Sequence, residues 1–348
     1  MSVMKFTDAI RDAYVQTMRA HPEVFLVGVG LIDPKAVFGT LDGILKEFGP
    51  QRVVEGPLAE QMLTGFTFGA ATLGLRPVLI HHRVDFLPLT FDQIANHIAK
   101  WNYMFGAQQK VPCVIRGIVG KGWGNGPQHT QSMHGFAASV PGLKVVVPAN
   151  ASDAKGLMIS AMLDDDPVIF IDHRCLHGES GEVPEGLFQV PIGKCQVMRE
   201  GKDITVVAVG PMVNESLRAA ERLESSGISV EVINLRTIRP IDFETILESL
   251  KKTGHLLVAD SDWPHFGAAS AIISEISQKA FGLLKKAPLA LTWPNHPVPA
   301  SYNIDHTYYP MVKDVVTAIS KVLLSDVSAQ HLAPHFTKPH SGTTTGPF

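Results

Sequence analysis

Short apolar strands alternate with segments of helical periodicity along most of this chain of 348 residues. The run Val24–Val27 is entirely apolar and ends at Gly28, a pattern typical of a strand that is covered on both faces. Before it, between residues 6 and 18, apolar residues recur every three or four positions, as on one face of a helix. Strands that alternate with helices pair in parallel through right-handed crossovers, so the sequence predicts an α/β fold with a mostly parallel sheet.

The alternation is interrupted once, which predicts two such domains. Between about residues 174 and 203 it gives way to Gly, Pro and charged residues, and it resumes afterwards. At roughly 150 residues per domain, the length also favours two domains. The last residues contain three prolines and no periodic segment. The predicted division is an α/β domain at 1–175, a linker at 176–203, a second α/β domain at 204–325 and an extended or disordered tail at 326–348.

Composition and charge exclude several classes of protein. The net charge is -3 and no stretch collects five or six like charges, so a nucleic-acid partner is not expected. The sequence contains no run of 18 apolar residues, which is the length needed to span a membrane. The N-terminus also lacks the apolar core of a signal peptide. Cys113, Cys175 and Cys195 form no Cys-x-x-Cys pair. They fit buried thiols in a reducing cytoplasm better than disulfides, although one of them could be reactive.

Common cofactor motifs are absent. The segment Gly28-Val29-Gly30 follows a predicted strand, as a dinucleotide fingerprint does, but the third glycine of that fingerprint is missing. The sequence contains no Walker A motif, no His-Glu-x-x-His and no paired cysteines, so neither a P-loop nor a typical zinc site is indicated.

Three residues near predicted strand ends are candidates for chemistry. His129 ends a loop that contains five glycines between residues 117 and 126, and such a loop can approach a ligand closely. Glu60 begins a predicted helix and Phe86 follows a predicted strand. Each of the three also has an ordinary interpretation. His129 could be an incidental surface histidine, Glu60 a carboxylate that stabilises the start of a helix, and Phe86 a core aromatic residue.

Nine segments occur in a characteristic order along the chain. They are Arg52–Glu60, Phe68–Ala71, Gly74–Pro77, Gln128–Gln131, Pro141–Pro148, Asp153–Leu157, Pro191–Lys194, Val232–Pro240 and Trp263–Gly267. Together they resemble the β subunits of the thiamin-diphosphate-dependent decarboxylating component of 2-oxo-acid dehydrogenase complexes, a transketolase-like family. The resemblance extends from about residue 4 to residue 324. It implies a pyrimidine-binding domain followed by a transketolase C-terminal-like domain.

The resemblance also implies roles for the three candidates. Glu60 matches the glutamate that hydrogen-bonds to N1′ of the thiamin pyrimidine and drives it to the imino tautomer that deprotonates the thiazolium carbon. Phe86 matches the aromatic residue that stacks on the pyrimidine. His129 matches a histidine near the reacting carbonyl, which assists proton movement or acyl transfer to a lipoyl arm.

Metals and partners follow from the same resemblance. The Gly-Asp-Gly…Asn-Asn pattern of the magnesium-diphosphate site in thiamin enzymes is absent. Magnesium and the diphosphate are therefore expected on a separately encoded α subunit, in an α2β2 heterotetramer. Some members of the family hold potassium, and that site aligns with Cys113, Ala161, Met162, Asp164 and Asp166. A plain helix end explains the same residues equally well.

Several positions depart from the family pattern. Val29 stands where many members have an acid, so any proton relay through that acid is lost. The segment His81–Asp85 is more charged than usual, and Trp123 lies in the glycine-rich loop. These positions are expected to face the substrate. Because they differ from the family pattern, the resemblance does not identify the substrate as pyruvate or a branched-chain 2-oxo acid.

The leading expectation is decarboxylation of a 2-oxo acid with acyl transfer to the lipoyl group of an acyltransferase component. One alternative is a subunit of a two-component transketolase or acyloin-forming enzyme acting on sugars or aldehydes. Another is an inactive scaffold, which the joint presence of Glu60, Phe86 and His129 argues against.

Overall fold

The computed structural model describes residues 1–121, 124–301 and 305–323. Trp123 and the predicted tail at 326–348 lie outside these residues. The strands are β1 Ser2–Lys5, β2 Val24–Gly28, β3 Val53–Glu55, β4 Arg76–His81, β5 Val114–Val119, β6 Lys144–Val146, β7 Val168–His173, β8 Ser180–Val183, β9 Gln196–Arg199, β10 Ile204–Ala208, β11 Val230–Asn234, β12 Thr237–Arg239, β13 Leu256–Ala259 and β14 Leu289–Leu291.

Helices connect most of these strands. They are α1 Phe6–Ala20, α2 Ile44–Phe48, α3 Glu60–Thr72, α4 Trp101–Met104, α5 His134–Ala138, α6 Ala151–Leu163, α7 Met212–Glu224, α8 Phe243–Thr253, α9 Ala268–Lys279, α10 Asp305–Tyr308 and α11 Val312–Leu323. Shorter helical turns occur at Val84–Thr90, Gln93–Ile98, Arg174–Leu176 and Phe281–Leu283. None of the helices in the described ranges is long and apolar enough to cross a membrane.

The described residues form two compact units. The first comprises 1–120, 136–192 and 237–240, and the second comprises 121–135, 193–236 and the described residues from 241 onward. Each unit is built around its own sheet, which confirms the predicted α/β class. The boundaries predicted from the sequence stay predictions. The structure does place strands β8 and β9 within the predicted linker, and β8 pairs antiparallel with β1.

The first unit contains a seven-stranded sheet in the order β12-β6-β7-β5-β4-β2-β3. Every pair of adjacent strands in this sheet is parallel except β12 with β6, which is antiparallel. Strands β2, β5 and β7 are buried along their whole length, which is why their sequences are nearly continuous apolar runs. At the end of β2, a Cβ on Gly28 would lie 2.6 Å from the carbonyl oxygen of Ile80, so only glycine allows this close approach to β4.

Helix α1 covers this sheet together with α6. The residues that define its predicted apolar face, Phe6, Ala9, Ile10, Ala13, Tyr14 and Met18, are all buried. Helix α6 is buried on nearly every side, and Asn150 caps it by accepting a hydrogen bond from the Asp153 amide.

A buried ion pair joins the two central strands β5 and β7. Arg116 Nε and Nη2 lie 2.8 and 2.9 Å from the two carboxylate oxygens of Asp172, and both side chains are fully buried. Arg116 also donates to the Thr40 hydroxyl, while His177 Nε2 donates to Asp172 at 2.6 Å. Burial alone would raise the pKa of Asp172, but the charge of Arg116 and these hydrogen bonds hold it well below its usual range.

The second unit contains a five-stranded sheet in the order β14-β13-β10-β11-β9, parallel except for β9. Both ends of α8 in this unit are capped. The Asp242 carboxylate accepts a hydrogen bond from the Thr245 amide at the start of the helix, and Gly254 ends it in the left-handed conformation.

A buried histidine links the start of α5 to the segment after β13 in the second unit. His134 Nε2 lies 2.8 Å from Asp260 Oδ1 and 3.4 Å from Asp262 Oδ2, while its Nδ1 lies 3.0 Å from the Ser132 hydroxyl. Burial would lower the pKa of His134, but the two carboxylates raise it to about 9. Burial raises the pKa of Asp262 to about 6, so this carboxylate is ionised above neutral pH.

Replacing Arg116 with Ala should lower the free energy of unfolding by about 3–5 kcal/mol, because it leaves Asp172 charged and buried without its cation. Urea denaturation followed by circular dichroism measures this. The control is Arg19→Ala, which removes an exposed arginine that pairs with Glu47 and should leave the unfolding midpoint nearly unchanged. Equal midpoints for the Arg116 variant and the unmodified chain would contradict the assigned role of this ion pair.

The stability of the chain should depend on pH through His134. Its folded pKa is raised above the unfolded value, so its contribution is complete below about pH 6.5 and is lost as pH rises through about 9. Urea midpoints recorded between these pH values should fall for the unmodified chain and fall less for His134→Gln. Parallel curves for the two proteins would show that His134 does not carry the charge.

Candidate active site

The carboxyl edge of the first sheet collects most of the chemically useful side chains of the first unit. Strands β3, β2 and β4 are neighbours there. They lead into Glu55–Glu60, Val29–Ile32 and His82–Phe86 respectively. Ligands of open α/β sheets bind at this edge, because loops from adjacent parallel strands converge on it.

Glu60 is the first residue of α3 and is half-buried. A short turn delivers it from β3. Within that turn, a Cβ on Gly56 would lie 2.4 Å from a methyl group of Leu63, so any other residue would displace this buried leucine. The positive end of the helix dipole favours a carboxylate at this place. The start of α3 therefore places Glu60 at this edge of the sheet, with part of its surface accessible.

Glu55 orders the neighbouring loop after β2. Its carboxylate accepts hydrogen bonds from the amides of Gly30, Leu31 and Ile32 at 2.5, 2.8 and 3.3 Å. Gly30 adopts a positive φ of 69°, which allows the tight turn. A carboxylate thus lies beside Val29, but it comes from β3 and is bound by the backbone.

Phe86 lies in the helical turn Val84–Thr90 that follows β4, and it is half-buried. Its amide donates to the Arg83 carbonyl at 3.2 Å. The turn packs against β5, where a Cβ on Gly117 would lie 3.0 Å from Val84, and it also contacts α3. The helix that begins at Glu60 and the turn that carries Phe86 are therefore in contact. A half-buried carboxylate and a half-buried aromatic ring on such elements fit a pyrimidine ring.

Burial favours the neutral form of the two histidines at the end of β4, His81 and His82. Burial lowers the pKa of His81 to about 4, so His81 is neutral near pH 7. Burial and the nearby Arg83 also lower the pKa of His82. The positive charge in the predicted charged segment therefore lies mainly on Arg83.

His129 belongs to the second unit, whereas Glu60 and Phe86 belong to the first. It is exposed, and its amide donates to the Gly126 carbonyl at 3.4 Å. Gly126 has a positive φ of 74° and also accepts a hydrogen bond from the Thr130 hydroxyl. The role of His129 stays a prediction.

The residues expected to hold potassium have partners from the chain itself. The carbonyl of Cys113 accepts from the Val168 amide, and those of Met162 and Asp164 accept from Arg76 Nη1 at 3.3 and 2.8 Å. The Asp164 carboxylate binds Lys144. Among the described residues, no group of His, Cys, Asp and Glu is arranged to hold a metal ion. Potassium stays a prediction, and these contacts do not require it.

None of Cys113, Cys175 and Cys195 forms a disulfide in the structure. Burial raises the pKa values of Cys113 and Cys195 to about 12, so both stay protonated and unreactive near pH 7.

Sequence reasoning missed two polar clusters. The partners Arg116 and Asp172 are 56 residues apart, and His134 is 126 residues from Asp260. One usable signal was present in the first case, because a charged residue ended each of two predicted buried strands. A buried charge calls for a partner. Nothing in the local sequence identified which partner it was.

Comparisons with known proteins agree with this architecture. Residues 2–178 match the family described as transketolase, pyrimidine binding domain, and residues 193–315 match transketolase, C-terminal domain. The solved structure of a split gene transketolase, an inactive β4 tetramer, superposes with a TM-score of 0.75 at 25% identity and covers 92% of this chain and 98% of that one.

Curated relatives are similar over nearly the whole chain. The acetoin:2,6-dichlorophenolindophenol oxidoreductase subunit beta of Cupriavidus necator is 38% identical over 325 residues, 90% of this chain and 96% of that protein. The pyruvate dehydrogenase E1 component subunit beta of Rhizobium meliloti is 39% identical over 323 residues, 92% of this chain and 70% of that protein. The chain therefore belongs to the transketolase-like family of thiamin-diphosphate-dependent oxidoreductase β subunits.

Proposed function

We propose that this chain is the β subunit of a heteromeric enzyme that decarboxylates a 2-oxo acid and transfers the acyl group to a lipoyl group. One observation carries the proposal: Glu60 is a half-buried carboxylate at the start of α3, and that helix contacts the turn with Phe86. The similarity to pyruvate dehydrogenase β subunits supports it.

Thiamin diphosphate, when bound, would supply the nucleophilic carbon and the electron sink that decarboxylation of a 2-oxo acid requires. Glu60 would hold and exchange a proton at N1′ of the bound cofactor's pyrimidine, which is the acid–base chemistry that activates the cofactor. Phe86 presents a ring face that fixes the orientation of the pyrimidine. His129 is exposed, so its imidazole is accessible to donate a proton to a reacting carbonyl or to accept one from it.

The proposal includes a separate α subunit that holds magnesium and the diphosphate, in an α2β2 heterotetramer. Helix α3 carries a feature that supports a protein partner. Its outward face exposes an apolar stripe at helical spacing, and Gly65 and Gly69 on α3 have open space above them. The stripe consists of Met62 and Phe66 on α3, with Leu58 just before the helix and Leu73 just after it, and these residues are between 46% and 85% exposed.

A second candidate function follows from the acetoin oxidoreductase relatives. In this alternative the chain is a subunit of a two-component transketolase or acyloin-forming enzyme, which uses the same cofactor chemistry on sugars or aldehydes. The inactive-scaffold reading stays the third alternative. Assays of the co-purified α and β chains with 2-oxo acids and a lipoylated acceptor, and then with acyloins and ketoses, separate the three.

Glu60→Gln should abolish turnover by the reconstituted enzyme, because an amide cannot exchange the proton at N1′. Steady-state rates measure this, and size-exclusion chromatography checks that assembly is retained. The matched control is Glu221→Gln, which changes an exposed glutamate on α7 and should leave the rate unchanged. Turnover by the Glu60 variant at the rate of the control would refute the role of Glu60.

Phe66→Glu should weaken assembly with the α subunit and leave the β chain folded, because the side chain is 46% exposed on the apolar stripe of α3. Co-purification and circular dichroism measure the two properties. The matched control is Phe281→Glu, at a phenylalanine that is 69% exposed in the second unit. Tight binding of thiamin diphosphate and turnover by the β chain alone would contradict the requirement for a partner.

A further inference from the structure

Two arginines contact one aromatic ring at the carboxyl edge of the first sheet. The guanidinium carbons of Arg83, just after β4, and Arg174, just after β7, each lie 5.0 Å from the centre of the Phe38 ring. The two like charges are therefore no more than twice that distance apart. Cation–π contacts favour each arginine at this place, but they do not remove the repulsion between the two.

The ring is held there by an unusual backbone. Ala36, Val37 and Phe38 have consecutive positive φ values of 45°, 48° and 60°. Residues with side chains adopt this left-handed conformation at an energetic cost, and such strain concentrates at ligand sites. The Phe38 ring also contacts those of His82 and His177, with centroid distances of 5.8 and 6.4 Å.

Two carboxylates near this ring, Asp172 and Glu55, already accept several hydrogen bonds each. Asp172, whose charge acts on Arg174, binds Arg116 with both oxygens and also accepts from His177. Glu55 is bound by the amides of residues 30–32. Asp85 is the carboxylate whose charge acts on Arg83. Burial lowers the pKa of both arginines, and for Arg174 the charge of Arg83 lowers the pKa further. Because both guanidiniums lie 5.0 Å from the centre of the Phe38 ring, an anion bound at this ring by both arginines would offset the repulsion between them.

This arginine pair adjoins the proposed cofactor residue. The Arg83 carbonyl accepts the Phe86 amide hydrogen bond, so Arg83 lies immediately before the turn that presents Phe86. A small molecule reacting beside Phe86 could place its far end toward Arg83 and Arg174. Arginine suits this use, because its planar donor fork matches the oxygens of carboxylates and phosphates.

We propose that Arg83 and Arg174 form an oxyanion-binding site that recognises an acidic group at the far end of the substrate. This inference rests on the proposed function and narrows it to 2-oxo acids that carry a second carboxylate or a phosphate. Free inorganic phosphate offers the same chemistry, so the test includes it separately.

Calorimetric titration of the reconstituted α and β chains measures binding without turnover. The probes are 2-oxoglutarate, which has a distal carboxylate, 2-oxobutyrate, which has none, and inorganic phosphate. We expect 2-oxoglutarate to bind more tightly than 2-oxobutyrate, and Arg83→Gln or Arg174→Gln to weaken 2-oxoglutarate binding by at least about tenfold. Binding of phosphate that displaces 2-oxoglutarate would support an oxyanion site that accepts either group.

The variants and controls separate this site from a structural role. Arg19→Gln changes an exposed arginine of the same unit and should bind like the unmodified protein. Arg83→Lys keeps the positive charge but lacks the planar donor fork of the guanidinium. It should therefore lose less affinity for 2-oxoglutarate than Arg83→Gln. Equal loss of 2-oxobutyrate and 2-oxoglutarate binding in the arginine variants would overturn the proposal, as would equal affinity of the unmodified protein for the two acids.

The outcome is independent of the catalytic assignment. Arginine-dependent binding of 2-oxoglutarate without turnover of any 2-oxo acid would refute the proposed function and leave the oxyanion site standing. Turnover of 2-oxobutyrate with no preference for 2-oxoglutarate would support the function and refute the site.

Discussion

The buried pair of Arg116 and Asp172 is the interaction on which the carboxyl edge of the first unit depends. It joins β5 to β7 at the centre of the sheet, and hydrogen bonds extend it to Thr40 and His177. Burying two charges costs solvation free energy, so the pair adds little net stability compared with apolar residues. Burying either charge without the other would be strongly destabilising, however. The pair therefore favours the packing of β5 against β7 in which Arg116 and Asp172 meet.

The same edge combines rigid and polar features in a small space. Gly28 and Gly56 allow close approaches that a side chain would block, and these approaches set the loops that lead to Val29 and Glu60. Packing of the Phe86 turn on α3 then brings the two elements of the proposed pyrimidine site together. The polar groups can stay accessible because the buried strands beneath them supply the stability.

Much of the fold could be predicted because it depends on local periodicity. The apolar residues of α1 and the buried runs of β2 and β7 are visible in the sequence, since one burial pattern repeats every few residues. The pairing of β8 with β1 could not be predicted, because neither strand has a distinctive pattern and their partner residues are about 180 positions apart. Glu60 could be predicted as a candidate because its motif is contiguous in the sequence. The contact of Arg174 with Phe38 could not, because it joins loops from distant strands.

The sequence by itself determined the α/β class, the division into two domains and the candidates Glu60, Phe86 and His129. These follow from periodicity, from interruptions of it and from short motifs, all of which are local properties of a chain. Only the tertiary structure decided which charges meet: Arg116 with Asp172, His134 with Asp260, and Arg83 with Arg174 around Phe38. The physical reason is that charge pairing depends on distance in space, and in a parallel sheet adjacent strands are separated by whole helices along the chain.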